Sequence, residues 1–416
     1  MSMQIPSSVQ LLSPNQHRCL TVPFSRRPFD ESILTALSQG TSSSPPRQRP
    51  FVAIDPSFVS LLTSDPKVLR LAKSDSGKSF AHEAGVWVAA TNEVWFTSNL
   101  YSEDPKVDEN TLKQVKVDIS AVDINSDRVR QLYLPSVRNG NGACPYGKYV
   151  LVCDQGAGPD EPSQLTIVDP ADPSRFEVLI NNYHGRHFNS LNDVTVLPPP
   201  TSYSSGDSTL SEFSDNPMST SLPRGSTIWF TDPTYGFEQS FRPAGQLPAM
   251  VYALDPHSGH IRAVADGFDH PNGICFSPDG KVCYVTDTGH IHGSGRLDPQ
   301  RASTIYAFDV VWLGKPCNAG GPSLQNRRLF AFADTGVPDG IKCDVKGNVY
   351  AGCGDGIHVW NPYGTLIGKI ILGAADDNMG AGCANFCFVP GGRLVCFAED
   401  RIYLVEGLRF EGALLP

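Results

Sequence analysis

Charge is scarce in this chain. Only 18% of its 416 residues are Asp, Glu, Lys or Arg, the net charge is −10, and there is no long basic run. That balance argues against a nucleic-acid partner and against docking on an anionic membrane, both of which need clustered Lys and Arg. No apolar stretch reaches the length that spans a bilayer. The opening segment MSMQIPSSVQLLSPNQHRCL lacks the charged start and apolar centre of a secretory signal, and no Asn-x-Ser/Thr acceptor occurs. The eleven cysteines are odd in number. Most, including Cys153, Cys275, Cys283, Cys343 and Cys396, sit in strand-like runs where they read as small buried hydrophobes. Cys383 and Cys387 are four apart, but no second Cys or His pair accompanies them to make a zinc site. These absences point to a reducing, cytoplasmic setting.

Glycine and proline are plentiful, at 38 and 34, and hydrophobic residues make up 40%. That composition suits a turn-rich β protein. One stretch, HPNGICFSPDGKVCYVTDTGH, shows the unit: two short apolar runs joined by a Pro278-Asp279-Gly280 turn. A hairpin brings the start of its first strand and the end of its second to one edge, so Asn272 and Asp287 face the same region. The unit recurs, opening at Glu83, Asn141, Asn192, Asn272, Asp339 and Asn385. Two further strand-like runs follow most copies, as MVYALDP and HIRAVADGF follow the third. Six copies of four strands spell an all-β, six-bladed propeller with antiparallel blades. Residues 81–416 form the propeller, and residues 1–80 precede it as an extension that supplies a ring-closing strand, for which FVAIDPSF is the candidate. The Ser/Pro-rich tract at 198–225 interrupts the third hairpin, and 41–50 has the same loose composition.

In a propeller the first strand of each blade lines the axis, so the six opening residues converge there. Asn and Asp before a strand are common turn residues, and NG or DG is a common turn pair. Glu83 is not a turn former, and an axial site accounts for Glu83, Asn192, Asn272 and Asp339 together. Carboxylate and amide oxygens without His or Cys make a cage for a hard cation. Ca2+ is the expected occupant; Mg2+, Mn2+ or Zn2+ are the other divalent candidates.

HEAGVW, FNSLNDVTV, IWFTDPTYG, HPNGICFSPDGKVCYVTDTG and VPDGIKCDVKGNVYAG resemble the gluconolactonase/senescence-marker-protein family, most of all its fungal lactonohydrolase branch, from about residue 83 to about 400. Paraoxonases and diisopropylfluorophosphatase share the general layout. The resemblance implies a propeller with an axial divalent metal, usually calcium, held by Glu83, Asn192, Asn272 and Asp339. Gluconolactonase-like members carry an Arg two residues before the asparagine of the ND motif. Here Ser190 stands there, so the substrate is expected to be less polar than a sugar-acid lactone. Asp400 stands where some relatives have a histidine.

These readings imply a metal-dependent lactonase that opens a small cyclic ester. A cyclase or isomerase on the same scaffold is the second class, and a non-catalytic calcium-binding propeller the third. Asp339 is the expected base or nucleophile, with Asp193, expected to point into its blade, as the second candidate. Asn141, Ser190, His290 and Asn385 are the expected substrate contacts. His292, His184 and His187 are further loop candidates, Tyr235 and Phe188 candidate pocket walls, and Asp154, Asp232, Asp287 and Asp400 carboxylates at the ends of returning strands. The expected partner is a small molecule, with no nucleic acid or membrane, and the expected state a monomer or small homo-oligomer.

Overall fold

The structure is a computed structural model, and it describes residues 4–12, 49–102, 112–200, 218–313, 321–375 and 382–413. Six four-stranded antiparallel blades follow one another in chain order. They begin at Glu83–Val88, Gly140–Tyr146, Val194–Leu197, Pro271–Phe276, Ile341–Cys343 and Asn385–Val389, the innermost strand of each blade. Helix among the described residues is confined to short turns such as Pro56–Ser60 and Tyr235–Glu238. No helix among them is long and apolar enough to cross a membrane. The centre of the Ser/Pro-rich tract, 201–217, and most of 41–50 lie outside the described residues.

Ring closure differs from expectation. The outermost strand of blade six is Leu62–Lys73, antiparallel to Arg401–Leu408. Phe51–Ala53, from the expected FVAIDPSF, instead adds a fifth strand to blade five beside Leu366–Ile371, with Val9–Leu11 beyond it. The reason is burial. Phe51, Val52 and Ala53 are all buried and need cover on both faces, whereas Leu62–Lys73 is mostly solvent-facing and suits an outer edge.

Apolar side chains fill the spaces between neighbouring blades. Phe96 stacks on Phe397 where blade one meets blade six, and Trp229 packs edge-on against Phe276 between blades three and four. The described cysteines are all buried and free. Cys383 spends its thiol on the Asn385 carbonyl, and among the described residues no partner set for zinc includes it.

The NG and DG pairs are not turns. None of Gly142, Gly273 and Gly340 has a positive φ. A Cβ on Gly142 would lie 2.4 Å from the Asn192 carbonyl oxygen, on Gly273 2.3 Å from that of Asp339, and on Gly340 2.2 Å from Asn385 Oδ1. These glycines let adjacent inner strands close around the axis. Gly273→Ala should therefore cost about 1–3 kcal/mol through overpacking against backbone that cannot rotate away. Urea unfolding of the variant checks this, and unchanged stability would remove the close-approach argument.

Candidate functional site

The six opening residues meet at one end of the axis, and a repeated hydroxyl fixes three of them. Thr97, Thr231 and Thr286, each near the end of a second strand, donate to the carbonyls of Asn141, Asn272 and Asp339 in the following blade at 3.3, 2.7 and 2.9 Å. Asn192 is set by its own backbone, donating to the Thr231 carbonyl at 3.0 Å. Asp154, Asp232 and Asp287 end their second strands as buried acceptors of loop N–H groups: those of Arg138, Asn139 and Gly156, of Asn189 and Ser190, and of Asp269, His270 and Gly289. They cap the loops that present the site. Burial pushes the Asp232 carboxyl up to about 7 against the pull of those N–H groups. Asp400 has no such role and pairs with Arg401.

The site is rich in oxygen and poor in partners. Oδ1 of Asn141, Asn192, Asn272 and Asp339 are all buried without a hydrogen-bond partner. Buried acceptors are ordinarily satisfied, so four orphans at equivalent positions need an explanation. Glu83 is 2% exposed, and its Oε2 accepts from Asn385 Nδ2 at 2.7 Å. Burial raises the carboxyls of both Glu83 and Asp339, and at Asp339 the neighbouring Glu83 charge adds to the effect. A hard divalent cation would satisfy the orphaned oxygens and compensate the two acids, so the residues present fit one.

Asp193 does not point into its own blade. Its Oδ1 accepts from Val194 N at 2.9 Å, its Oδ2 from Ile274 N of blade four at 3.0 Å, and Lys342 Nζ of blade five lies 4.0 Å from Oδ2. Both oxygens are thus engaged in tying three blades together. Lys342 is a half-buried axial cation that the sequence reading passed over; its signal was one lysine in the otherwise apolar GIKC run.

The expected substrate contacts divide. Asn141 offers its orphaned oxygen to the site, and Asn385 holds Glu83. Ser190 is 1% exposed, and its hydroxyl is spent within its loop, accepting from Gly236 N at 2.9 Å and donating to the Pro233 carbonyl at 3.1 Å. His290 is 2% exposed, not on an open rim, and its Nδ1 lies 2.8 Å from the Asp298 carbonyl. His184 and His187 sit on an exposed two-stranded hairpin, and His292 meets Arg296. Phe188 is core, edge-on to Phe230 and Tyr252. Tyr235 is only partly buried, stacks on His270 with ring centres 4.6 Å apart, and hydrogen-bonds to Thr288.

The sequence reading also passed over His82 and Glu399. His82 Nδ1 hydrogen-bonds to Glu399 Oε1, and Asn99 Nδ2 holds the other Glu399 oxygen at 3.1 Å. Burial alone would lower the imidazole, but Glu399 first, then Glu83 and Asp339, outweigh it and lift it to about 10.

The fold and this oxygen-lined axial site define a six-bladed propeller, and comparison with known proteins shows what it is similar to. Residues 219–391 match the SMP-30/Gluconolactonase/LRE-like region. The lactonohydrolase oryL of Aspergillus oryzae is 28% identical over 340 residues, which cover 72% of this chain and 65% of that protein. The chain thus spans just under two thirds of that relative. The gluconolactonase of Zymomonas mobilis is 27% identical over 259 residues, 61% of this chain and 58% of the relative. Among solved structures, a gluconolactonase from Xanthomonas campestris superposes with a TM-score of 0.58 at 21% identity, covering 85% of this chain and 94% of its own. That likeness shows the shared fold.

Proposed function

We propose that this protein is a divalent-cation-dependent lactonase that opens a small cyclic ester of low polarity. The observation that carries the reading is the ring of orphaned oxygens, with the carboxylates of Glu83 and Asp339 within 4.8 Å of each other beside it. The sequence relatives named lactonohydrolase and gluconolactonase support the reaction class.

Glu83, Asn192, Asn272 and Asp339 would hold the cation, Ca2+ on the donor set. When bound it supplies Lewis-acid polarisation of an ester carbonyl and positive charge for the developing oxyanion. Asp339 is the acting carboxylate. Its Oδ1 is buried and without a hydrogen-bond partner while the residue as a whole stays partly exposed, so it can serve both cation and substrate. There it takes the proton from the attacking water, or attacks the carbonyl itself. Asn385 fixes the Glu83 carboxylate, and Asn141 contacts the ring of the substrate. Asp193 and Lys342 hold the inner strands beneath them. Ser190 brings neither a guanidinium nor a free hydroxyl to the substrate, so a polyhydroxylated lactone finds no grip at that position.

A panel of lactones, offered with and without EDTA, tests the reading. Unsubstituted aliphatic lactones should be opened faster than an aldonolactone, with activity lost to chelator and restored by Ca2+. If the cation-replete protein opens no lactone, the reading fails and the cyclase or isomerase class takes its place.

A further inference from the structure

We infer that His82 is a nitrogen ligand at the edge of the axial site, so that the site takes a borderline transition metal such as Co2+ or Zn2+ as well as Ca2+. The inference rests on the axial oxygens being a cation site. It goes beyond that reading by giving the site a donor of another chemical kind.

Three observations carry it. One atom each from His82, Glu83 and Asp339 can be chosen so that all three lie within 4.8 Å of one another. His82 Nε2 is 4.0 Å from Glu83 Oε1, a separation that two ligands of one ion can bridge. His82 Nδ1 is committed to Glu399, whose other oxygen is held by Asn99. A metal-binding imidazole is typically oriented in this way, with its distal nitrogen on a carboxylate that fixes ring and tautomer. Nε2 is left facing the site, and a quarter of the side chain remains open.

The backbone on both sides is strained in support of this geometry. Glu399 has φ +62° and Ala84, next to Glu83, φ +68°. Left-handed conformations in non-glycine residues are costly and persist where the surroundings hold them, commonly at functional sites. Here the Glu399 strain is held by a reciprocal pair of backbone hydrogen bonds with Ala81, both 2.9 Å, which brings blade six onto the residue before His82. A plain surface ion pair would need neither the strain nor the buried Glu83 beside it.

Oxygen donors alone favour hard cations, and an added imidazole raises affinity for Co2+ and Zn2+ far more than for Ca2+. The metal-stripped protein is titrated with Co2+ and separately with Ca2+, following Co2+ by its visible absorption and Ca2+ by calorimetry. In His82→Gln the Co2+ absorption should shift and Co2+ affinity fall about 10- to 100-fold. Ca2+ affinity should change by less than about 3-fold. A parallel loss of both affinities, or no loss of either, would overturn the inference and leave His82 as a support for Glu83. If His82→Gln does not fold, as read by thermal unfolding, Glu399→Gln takes its place. It keeps the imidazole, and Co2+ should bind several-fold more weakly with its spectrum retained; unaltered Co2+ affinity there overturns the inference. A parent that binds Ca2+ but not Co2+ overturns the histidine ligand alone. A parent that binds neither overturns the axial cation site as well.

Discussion

Asp339→Asn should reduce lactone opening by between about 100- and 10,000-fold at saturating Ca2+, the range expected when a positioned base or nucleophile is removed. The substitution keeps an oxygen at the orphaned Oδ1 position and leaves the Thr286 hydrogen bond to the backbone carbonyl intact. Cation affinity should fall, since one of two closely placed carboxylates is gone, but binding should saturate at higher Ca2+. The measurement is kcat with Ca2+ occupancy followed in parallel by calorimetry. An occupied variant with near-parental kcat would reduce Asp339 to a ligand. Asp193 is the poorer alternative, because both its oxygens already accept backbone N–H groups and it faces Lys342. A single turnover in 18O water bears on the two roles left to Asp339: label in its own carboxylate identifies a nucleophile, through opening of a mixed anhydride at the Asp339 carbonyl, because a base never exchanges its oxygens.

What could be read from the sequence was what repeats. The six opening residues stand at six equivalent inner-strand positions, and the apolar pairs after them fix blade number and order. The glycine after Asn141, Asn272 and Asp339 was visible too, though its meaning was not: a turn signal and a close-packing requirement look identical in one dimension. The closing strand was hidden because Leu62–Lys73 is an outer strand with few buried positions and a proline, while Phe51–Ala53 is apolar and looked the better strand. His82 and Glu399 were hidden because their contact spans 317 residues and exists only once the ring is shut. The stitching threonines left a faint trace in FTSN, FTDP and VTDT, each with Thr in one register near a strand end. Ser190 was read as a departure from the family pattern, but its burial behind Gly236 is a property of the loop's path, which local sequence does not specify.

Lys369→Met should destabilise the fold by about 3–5 kcal/mol, because it breaks a buried charge network by removing one sign. Lys369 is fully buried in blade five, with its ammonium 2.6 Å from Asp334 Oδ1 and 3.1 Å from Asp355 Oδ2. His358, also fully buried, sits 2.6 Å from the other Asp355 oxygen. Burial alone would raise the Asp355 carboxyl, but His358 and Lys369 outweigh it and hold it well below the usual carboxylate range. Burial would lower the Lys369 amine, and Asp355 and Asp334 hold it above its ordinary value. A depressed carboxylate stabilises above its unfolded pKa of about 3.9 and loses that contribution as pH falls through the folded value; a raised amine stabilises below about 10.4 and loses its contribution above that. The difference between parent and variant should therefore be flat from about pH 5 to 9 and shrink below about pH 4. Adding Asp355→Asn to Lys369→Met should recover part of the loss by removing a carboxylate left short of its cation. Urea unfolding across this pH range decides it: a single variant as stable as the parent at neutral pH would mean that desolvation of Lys369 already cancels its two ion pairs.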